Sequence, residues 1–352
     1  MKPIRVGVLG ATGAVGQRFI QLLEHNPWFE ITAVAASGRS SGARYAEVCT
    51  WRLSANCPDC VRDLLVQSCE PGLDCEIVFS ALPADIAGEI EVAFAAAGYG
   101  VLSNASSHRM DPDVPLLVPE VNSEHLTLVE IQRARRGWGK GFIVTNPNCS
   151  TAGLSVPLKP LHVAFGVRRV MVTTMQALSG AGYPGVPSLD IIDNVVPYIG
   201  GEEEKMSREP LKILGAYSAA ENRVLPAEMV ISASCNRVAT RDGHMEAVSV
   251  ELDRKATLDE VLAAFREFRS VPYELGCPSA VQQTIVVRAE PDRPQPVLDR
   301  NEGAGMAVTV GRVRPCQVFD WKFTVLSHNT VRGAAGGSVL NAEIMAAQGL
   351  IG

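Results

Sequence analysis

Along the first 150 residues, short apolar runs are each followed by glycine or small polar residues, and then by a segment with helical spacing. Ile4 to Leu9 is the first run. After Gly10-Ala11-Thr12-Gly13-Ala14-Val15-Gly16, apolar positions recur at Phe19, Ile20, Leu22 and Leu23 until Asn26-Pro27. Ile31 to Ala36, Glu76 to Leu82, Val101 to Ser103 and Phe142 to Val144 predict further strands. Between them, helices are predicted from Ile86 to Gly98 and from about Ser123 to Arg135. Strands alternating with helices imply a parallel sheet wound with right-handed crossovers.

Beyond Cys149 the pattern changes. Val167 to Gln176, Met229 to Val238, Glu246 to Leu252, Thr284 to Arg288, Met306 to Val313 and Phe319 to Leu326 alternate and are rich in β-branched residues. Long connections separate them, which predicts a mixed, largely antiparallel sheet with flanking helices. Leu258 to Phe268 is one such helix, with Thr257 as its N-cap and Glu260 completing a capping box. The last helical segment, Val331 to Gln348, opens with Gly333-Ala334-Ala335-Gly336-Gly337, a small-residue face suited to close packing on the first domain or its cofactor. The expected fold is therefore α/β: a dinucleotide-binding domain over 1–148, completed by 331–352, and an α+β domain with a mixed sheet over 149–330.

The 352 residues, 47% hydrophobic and 20% charged, leave room for two cores. A net charge of −6 and the lack of a dense Lys/Arg cluster supply no basic face for nucleic acid. No stretch is long enough to span a bilayer, and the apolar start is broken by Gly10, Gly13 and Gly16, so a cytoplasmic protein is expected. Five of the nine cysteines fall in the first 75 residues, including Cys57-Pro58-Asp59-Cys60. No second pair stands at a zinc-ribbon distance, so these read as free thiols and no metal is expected.

The chemistry concentrates in Asn146-Pro147-Asn148-Cys149-Ser150-Thr151, a turn from strand to helix. Free N–H groups and the helix dipole converge there and favour a thiolate. A packed structural cysteine would not call for the flanking asparagines and hydroxyls. The strand–GxxGxxG–helix arrangement at Gly10 to Gly16 suits a pyrophosphate at a helix N-terminus. The second strand ends in Ser37-Gly38-Arg39-Ser40 with no acidic residue for ribose hydroxyls, which favours NADP over NAD. Arg109 lies past the C-terminal end of a strand, where it serves as an anion ligand or as a plain loop arginine. Gln176 to Gly182 reads equally as a ligand-facing loop or a flexible turn. Glu202 and Lys205 share a face of a helix that starts after Gly200-Gly201, and would offer both charges to a small zwitterion. Arg237 and His244 flank the turn Thr240-Arg241-Asp242-Gly243, where a hairpin would bring them together. His25, His125 and His162 are read as surface residues at helix ends.

In their order and spacing, GATGAVG, NPNCST, QALSGAGYPGV, GEEEK, NRVATRDGH and SHNTVRGAAGGSVLNAE resemble the aspartate-semialdehyde dehydrogenase family, closest to its archaeal and fungal branch. The resemblance runs from Val6 to about Glu343. It implies Cys149 as nucleophile, His244 as acid/base and Gln176 as the substrate-orienting residue. It also implies Arg237 for the substrate carboxylate, Glu202 for its ammonium, and Lys205, Arg109 and Asn148 for phosphate. For NADP it implies Gly10, Thr12, Gly13, Ala14 and Val15 in the turn, Ser37, Gly38, Arg39 and Ser40 around the 2′-phosphate, and Asn329 and Thr330 beside the nicotinamide. Ser80, Ser179 and Gly180 complete the expected cofactor contacts. The implied reaction is the reversible, NADPH-dependent reduction of L-4-aspartyl phosphate to L-aspartate 4-semialdehyde and phosphate, in a homodimer or homotetramer. Malonyl-CoA reductase and N-acetyl-γ-glutamyl-phosphate reductase share the cysteine chemistry and are the alternatives. Neither brings an ammonium for Glu202. A non-catalytic NADP-binding sensor would be expected to lack Cys149 or His244.

Overall fold

The computed structural model describes residues 2–38 and 40–352. The first sheet comprises β1 (Ile4–Leu9), β2 (Phe29–Ala36), β3 (Val66–Ser68), β4 (Ile77–Ser80), β5 (Gly100–Ser103) and β6 (Phe142–Thr145). All its pairings are parallel and the strand order is β3-β2-β1-β4-β5-β6. Continuous apolar runs such as Val6, Val8, Val78, Phe79, Val101 and Leu102 are buried because helices cover both faces. The order reverses between β1 and β4, so a crevice opens at their C-terminal ends, where helix N-termini gather. The three-residue β3 was not foreseen; its sequence carries almost no pattern of its own.

After the helix Cys149–Phe165 the chain forms β7 (Val167–Gln176), a small hairpin of β8 (Ala216–Ser218) and β9 (Arg223–Leu225), then β10 (Val230–Arg237) and β11 (His244–Leu252). β12 (Ile285–Arg288), β13 (Val308–Pro315) and β14 (Trp321–Ser327) complete the second sheet, of order β10-β7-β11-β14-β13-β12. Two of its pairings are parallel and three antiparallel. One face packs on the helices Cys149–Phe165 and Leu258–Arg266 through Leu154, Leu158, Val172, Val248, Phe265 and Phe323. On the other face Met171, Thr173, Val230, Ser232 and Ala247 remain exposed. Thr257 and Glu260 form the expected capping box.

β10 and β11 are not a hairpin. β7 lies between them, parallel to β10 and antiparallel to β11. The expectation for Arg237 and His244 is corrected in its route only: both still lie at the same end of the sheet, on either side of Gln176.

The C-terminal helix Gly336–Ala347 is buried along nearly its whole length. Its Val339, Leu340, Ile344 and Met345 share one core with Ile4, Val6, Phe19 and Ile20 of the first sheet and its first helix. Its small residues allow this close approach. Among the described residues no helix is long and apolar enough to cross a membrane, and no group of three or more His, Cys, Asp or Glu could hold a metal ion. The nine cysteines are free thiols, and within the early cluster Cys60 is exposed while Cys75 is buried.

Candidate active site

The turn after β6 sets Cys149 at the start of a helix. Asn148 is the N-cap, and its Oδ1 accepts from the backbone N–H groups of Ser150 (3.0 Å) and Thr151 (3.3 Å). Gly333, from the C-terminal segment, lies directly on Cys149; a Cβ there would come 2.7 Å from the cysteine Cβ. Only glycine lets the two segments meet.

Cys149 Sγ lies 3.1 Å from His244 Nε2. The Ala177 N–H donates to His244 Nδ1 at 3.0 Å, so the neutral ring carries its proton on Nε2, facing the sulfur. Burial, then Arg237 and His328, holds His244 neutral, with its pKa down to about 3. Burial pushes the Cys149 thiol up to about 12, and the negative charge of Glu202 adds to it, against Arg237, Arg109 and the Ser150 N–H. This corrects the expectation of a ready thiolate. In this arrangement desolvation and a nearby carboxylate outweigh the helix N-terminus, and the resting pair is thiol and neutral imidazole.

Glu202 is buried and accepts from Asn148 Nδ2 (2.7 Å), Lys205 Nζ (3.0 Å) and, at 3.3 Å, Gln176 Nε2. Arg237 is buried and donates to the Ala177 carbonyl at 2.7 Å. Gly180 packs against this pair: a Cβ there would lie 2.9 Å from Arg237 Nη1 and 3.0 Å from His244 Cε1. Cys149, Gln176, Glu202, Lys205, Arg237, His244 and Asn148 therefore form one constellation. Arg109 joins it from the first domain; it is buried and donates to the Asn104 carbonyl at 2.8 Å and to Glu209 Oε1 at 2.9 Å.

On the cofactor side, Gly10 has φ +73°, and a Cβ there would meet the Ala81 carbonyl at 2.7 Å. Gly13 is the N-cap of the helix Ala14–Leu23 and provides no side-chain cap, which leaves first-turn N–H groups for an anion. A cavity of about 390 Å³ opens beside this turn, lined by Ala14, Val15, Arg18, Leu178, Ser179, Tyr183 and Thr330, among others. Asn329 bridges its rim, accepting from the Gly243 N–H at 2.8 Å and donating to Ser179 Oγ at 2.8 Å. Thr12 lies in the turn, and its carbonyl accepts from Gln17. Ser80 is buried at the end of β4. Ser37 and Gly38 are exposed and Ser40 half-buried, closing a turn from the Ser40 N–H to the Ser37 carbonyl at 2.9 Å. Arg39 lies outside the described residues. The turn and cavity fit a dinucleotide.

His125 is fully buried, its ring set between the Asn122 side chain and the Gly215 carbonyl, contrary to its reading as a surface residue. The desolvated ring needs both partners; Asn122 stands three positions before it, but Gly215 is 90 positions away. Two site residues were missed. Glu209 and Lys212 continue the stripe of Glu202 and Lys205 at three- and four-residue intervals, and that period was the available signal.

Residues 5–129 match the family model described as semialdehyde dehydrogenase, NAD binding domain, and residues 158–332 match semialdehyde dehydrogenase, dimerisation domain. The aspartate-semialdehyde dehydrogenase of Methanothermobacter thermautotrophicus is 54% identical over 97% of this chain and 99% of its own. That of Saccharomyces cerevisiae is 48% identical over 98% of each. The crystal structure of the Candida albicans enzyme with NADP superposes with a TM-score of 0.91 at 46% identity, covering 99% of this chain and 100% of its own. The Vibrio cholerae aspartate semialdehyde dehydrogenase II structure, complexed with ASA, gives 0.77 at 28% identity, covering 98% and 99%.

Proposed function

The chain belongs to the aspartate-semialdehyde dehydrogenase family, and we propose accordingly that it reduces L-4-aspartyl phosphate to L-aspartate 4-semialdehyde and phosphate, reversibly, with Cys149 as nucleophile. The observation that carries this reading is the Cys149–His244 contact of 3.1 Å, enclosed by Arg237, Glu202 and Arg109. Arg237 binds the substrate α-carboxylate, Glu202 its ammonium, and Arg109, Lys205 and Asn148 its phosphate. Gln176, held next to Glu202, orients the substrate. The Gly10–Val15 turn, Ser37, Gly38 and Ser40, and the Asn329–Thr330 rim would hold NADPH, with Ser80, Ser179 and Gly180 alongside, and it would supply hydride.

Cys149 Sγ attacks the acyl carbon, its S–H proton passes to the departing phosphate oxygen as the C–O bond breaks, and a thioester remains. After reduction the thiohemiacetal collapses, its C–S bond breaks, and the sulfur returns as the thiol. His244 has its proton on Nε2, so it hydrogen-bonds the oxygen of the tetrahedral adduct, then donates that proton to the sulfur as the C–S bond breaks and regains it from solvent. With the Ser150 and Thr151 N–H groups on Asn148 Oδ1 and the Asn148 N–H on Glu209, the Cys149 N–H is the helix-start donor for that oxyanion, at about 3–4 kcal/mol.

Glu202 has a second role in this reading. Its charge opposes ionisation of Cys149. An ammonium seated on Glu202 offsets that charge, so the correct substrate helps to activate its own nucleophile. Malonyl-CoA and N-acylated substrates bring no such cation, which favours aspartyl phosphate over both alternatives. The uncovered face of the second sheet, with Met171 and Val230 exposed, supports a homodimer formed through the dimerisation domain, with a homotetramer as the alternative assembly.

The test is NADPH formation from aspartate semialdehyde, phosphate and NADP, beside Cys149→Ala and a malonyl-CoA reaction run with NADPH. Phosphate-dependent formation that disappears in the variant supports the reading. NADPH consumed on malonyl-CoA alone transfers the assignment to that activity, and silence in both removes it.

A further inference from the structure

Glu209 stands in no motif noted above, yet each of its carboxylate oxygens holds a different part of the site. Oε1 accepts from Arg109 Nη1 at 2.9 Å, and Oε2 accepts from the backbone N–H of Asn148 at 2.7 Å. The residue is 3% exposed and Arg109 is 7% exposed, so this ion pair is largely shielded from solvent. One turn further along the same helix (Glu202–Ile213), Lys212 donates to the carbonyls of Arg109, Asp111 and Val114 at 2.8, 2.7 and 2.8 Å. The helix thus grips both the side chain and the backbone of the Arg109 segment, which belongs to the first domain. With Nη1 on Glu209 and Nη2 on the Asn104 carbonyl, the buried Arg109 Nε keeps an unused donor.

We propose that Glu209 is a positioning residue that aims the Arg109 guanidinium at the phosphate and locks it to the turn carrying Cys149, so that anion site and nucleophile keep one spacing across the two domains. This rests on the functional reading above, in which Arg109 binds phosphate. A buried carboxylate suits such a role because both oxygens accept, each from a donor of fixed direction, and ion pairing stiffens the long arginine. Glutamine at the same place has one acceptor oxygen. Its NH2 group would oppose either the Arg109 or the Asn148 donor, and one of the two grips would be lost.

The experiment is steady-state kinetics of the full-length protein and of Glu209→Gln, Arg109→Lys and the double variant. In Glu209→Gln the KM for phosphate should rise about tenfold or more while the KM for NADP stays within about twofold. In the double variant the phosphate KM should be no higher than in Arg109→Lys alone, because Glu209 acts through Arg109. An unchanged phosphate KM in Glu209→Gln, or single effects that multiply in the double variant, overturns the proposal. Should Glu209→Gln fail to fold, Glu209→Asp serves in its place, since the shortened side chain cannot span both partners; a wild-type phosphate KM there also overturns it. Inorganic phosphate protecting Cys149 against iodoacetamide reads the same site without turnover. A wild-type protein protected by phosphate but inactive on aspartate semialdehyde would count against the functional reading, whereas an active wild type with an unmoved Glu209→Gln variant counts against Glu209.

Discussion

The two sheets present their ligand-facing ends in different materials. At the end of β1 the site is made of backbone: a positive-φ glycine, an uncapped helix start, and glycines whose missing side chains let main chain meet main chain. At the ends of β7, β10 and β11 it is made of side chains, Gln176, Arg237 and His244, contributed by three strands and completed by Cys149 and Glu202 from two helices. A backbone site tolerates substitution wherever no Cβ intrudes. A side-chain site tolerates almost none, because Glu202, Arg237 and His244 are buried among one another. In the proposed function one half of the molecule thus recognises by shape and the other by charge balance.

The largest effect that would undo this contrast is at the nucleophile. Cys149→Ala should lower kcat by about four orders of magnitude or more, measured as NADPH formation, while binding of NADP followed by fluorescence is retained. Loss of NADP binding with the thiol would mean the two halves are not separable.

Next in size is the charge balance itself. Glu202→Gln should lower kcat/KM for aspartate semialdehyde by roughly 10- to 100-fold, the worth of a charge-assisted hydrogen bond. The same substitution should speed iodoacetamide alkylation of Cys149 at pH 8, since the removed carboxylate raises the thiol's pKa. An alkylation rate equal to wild type would remove the coupling between Glu202 and the sulfur.

Gly16→Ala tests the backbone half. A Cβ there would fall well inside contact distance of the Gly10 carbonyl. We expect a loss of about 1–3 kcal/mol in stability and a raised KM for NADP, with the KM for phosphate little changed. A melting curve and the two KM values decide it.

The smallest effect is the pH dependence of stability. His244 and His328 are held neutral, their pKa values lowered to about 3 and about 4, chiefly by burial. The unfolded chain binds protons at these histidines from about pH 6.5 downward and the folded chain does not, so stability is full above pH 6.5 and falls as the pH drops toward 4. The slope approaches about 1.4 kcal/mol per pH unit for each fully buried histidine. Denaturant unfolding between pH 7 and 4.5 should show it, with a shallower slope in His244→Asn; identical slopes would mean His244 is protonated in the folded state.

Much of this was legible in the chain. The parallel alternation, the Gly10–Gly16 turn, the Asn148-Cys149 helix start and the capping box at Thr257 are local: the residues that need a conformation are those that adopt it. The π-turn at Val331–Ala335, the burial of His125 and the roles of Glu209 and Lys212 were not. Each depends on a partner far away in sequence, as Arg332 does on Glu120 and His125 on the Gly215 carbonyl.

Read without its structure, the chain thus specifies the two sheets and the backbone cradle, because hydrophobic period and backbone conformation are read within a few positions. It took the packed molecule to set β7 between Arg237 and His244, to fix the histidine tautomer through Ala177, and to hold the cysteine as a thiol. Desolvation and charge pairing depend on what surrounds a group in space, and that is settled only when distant segments pack.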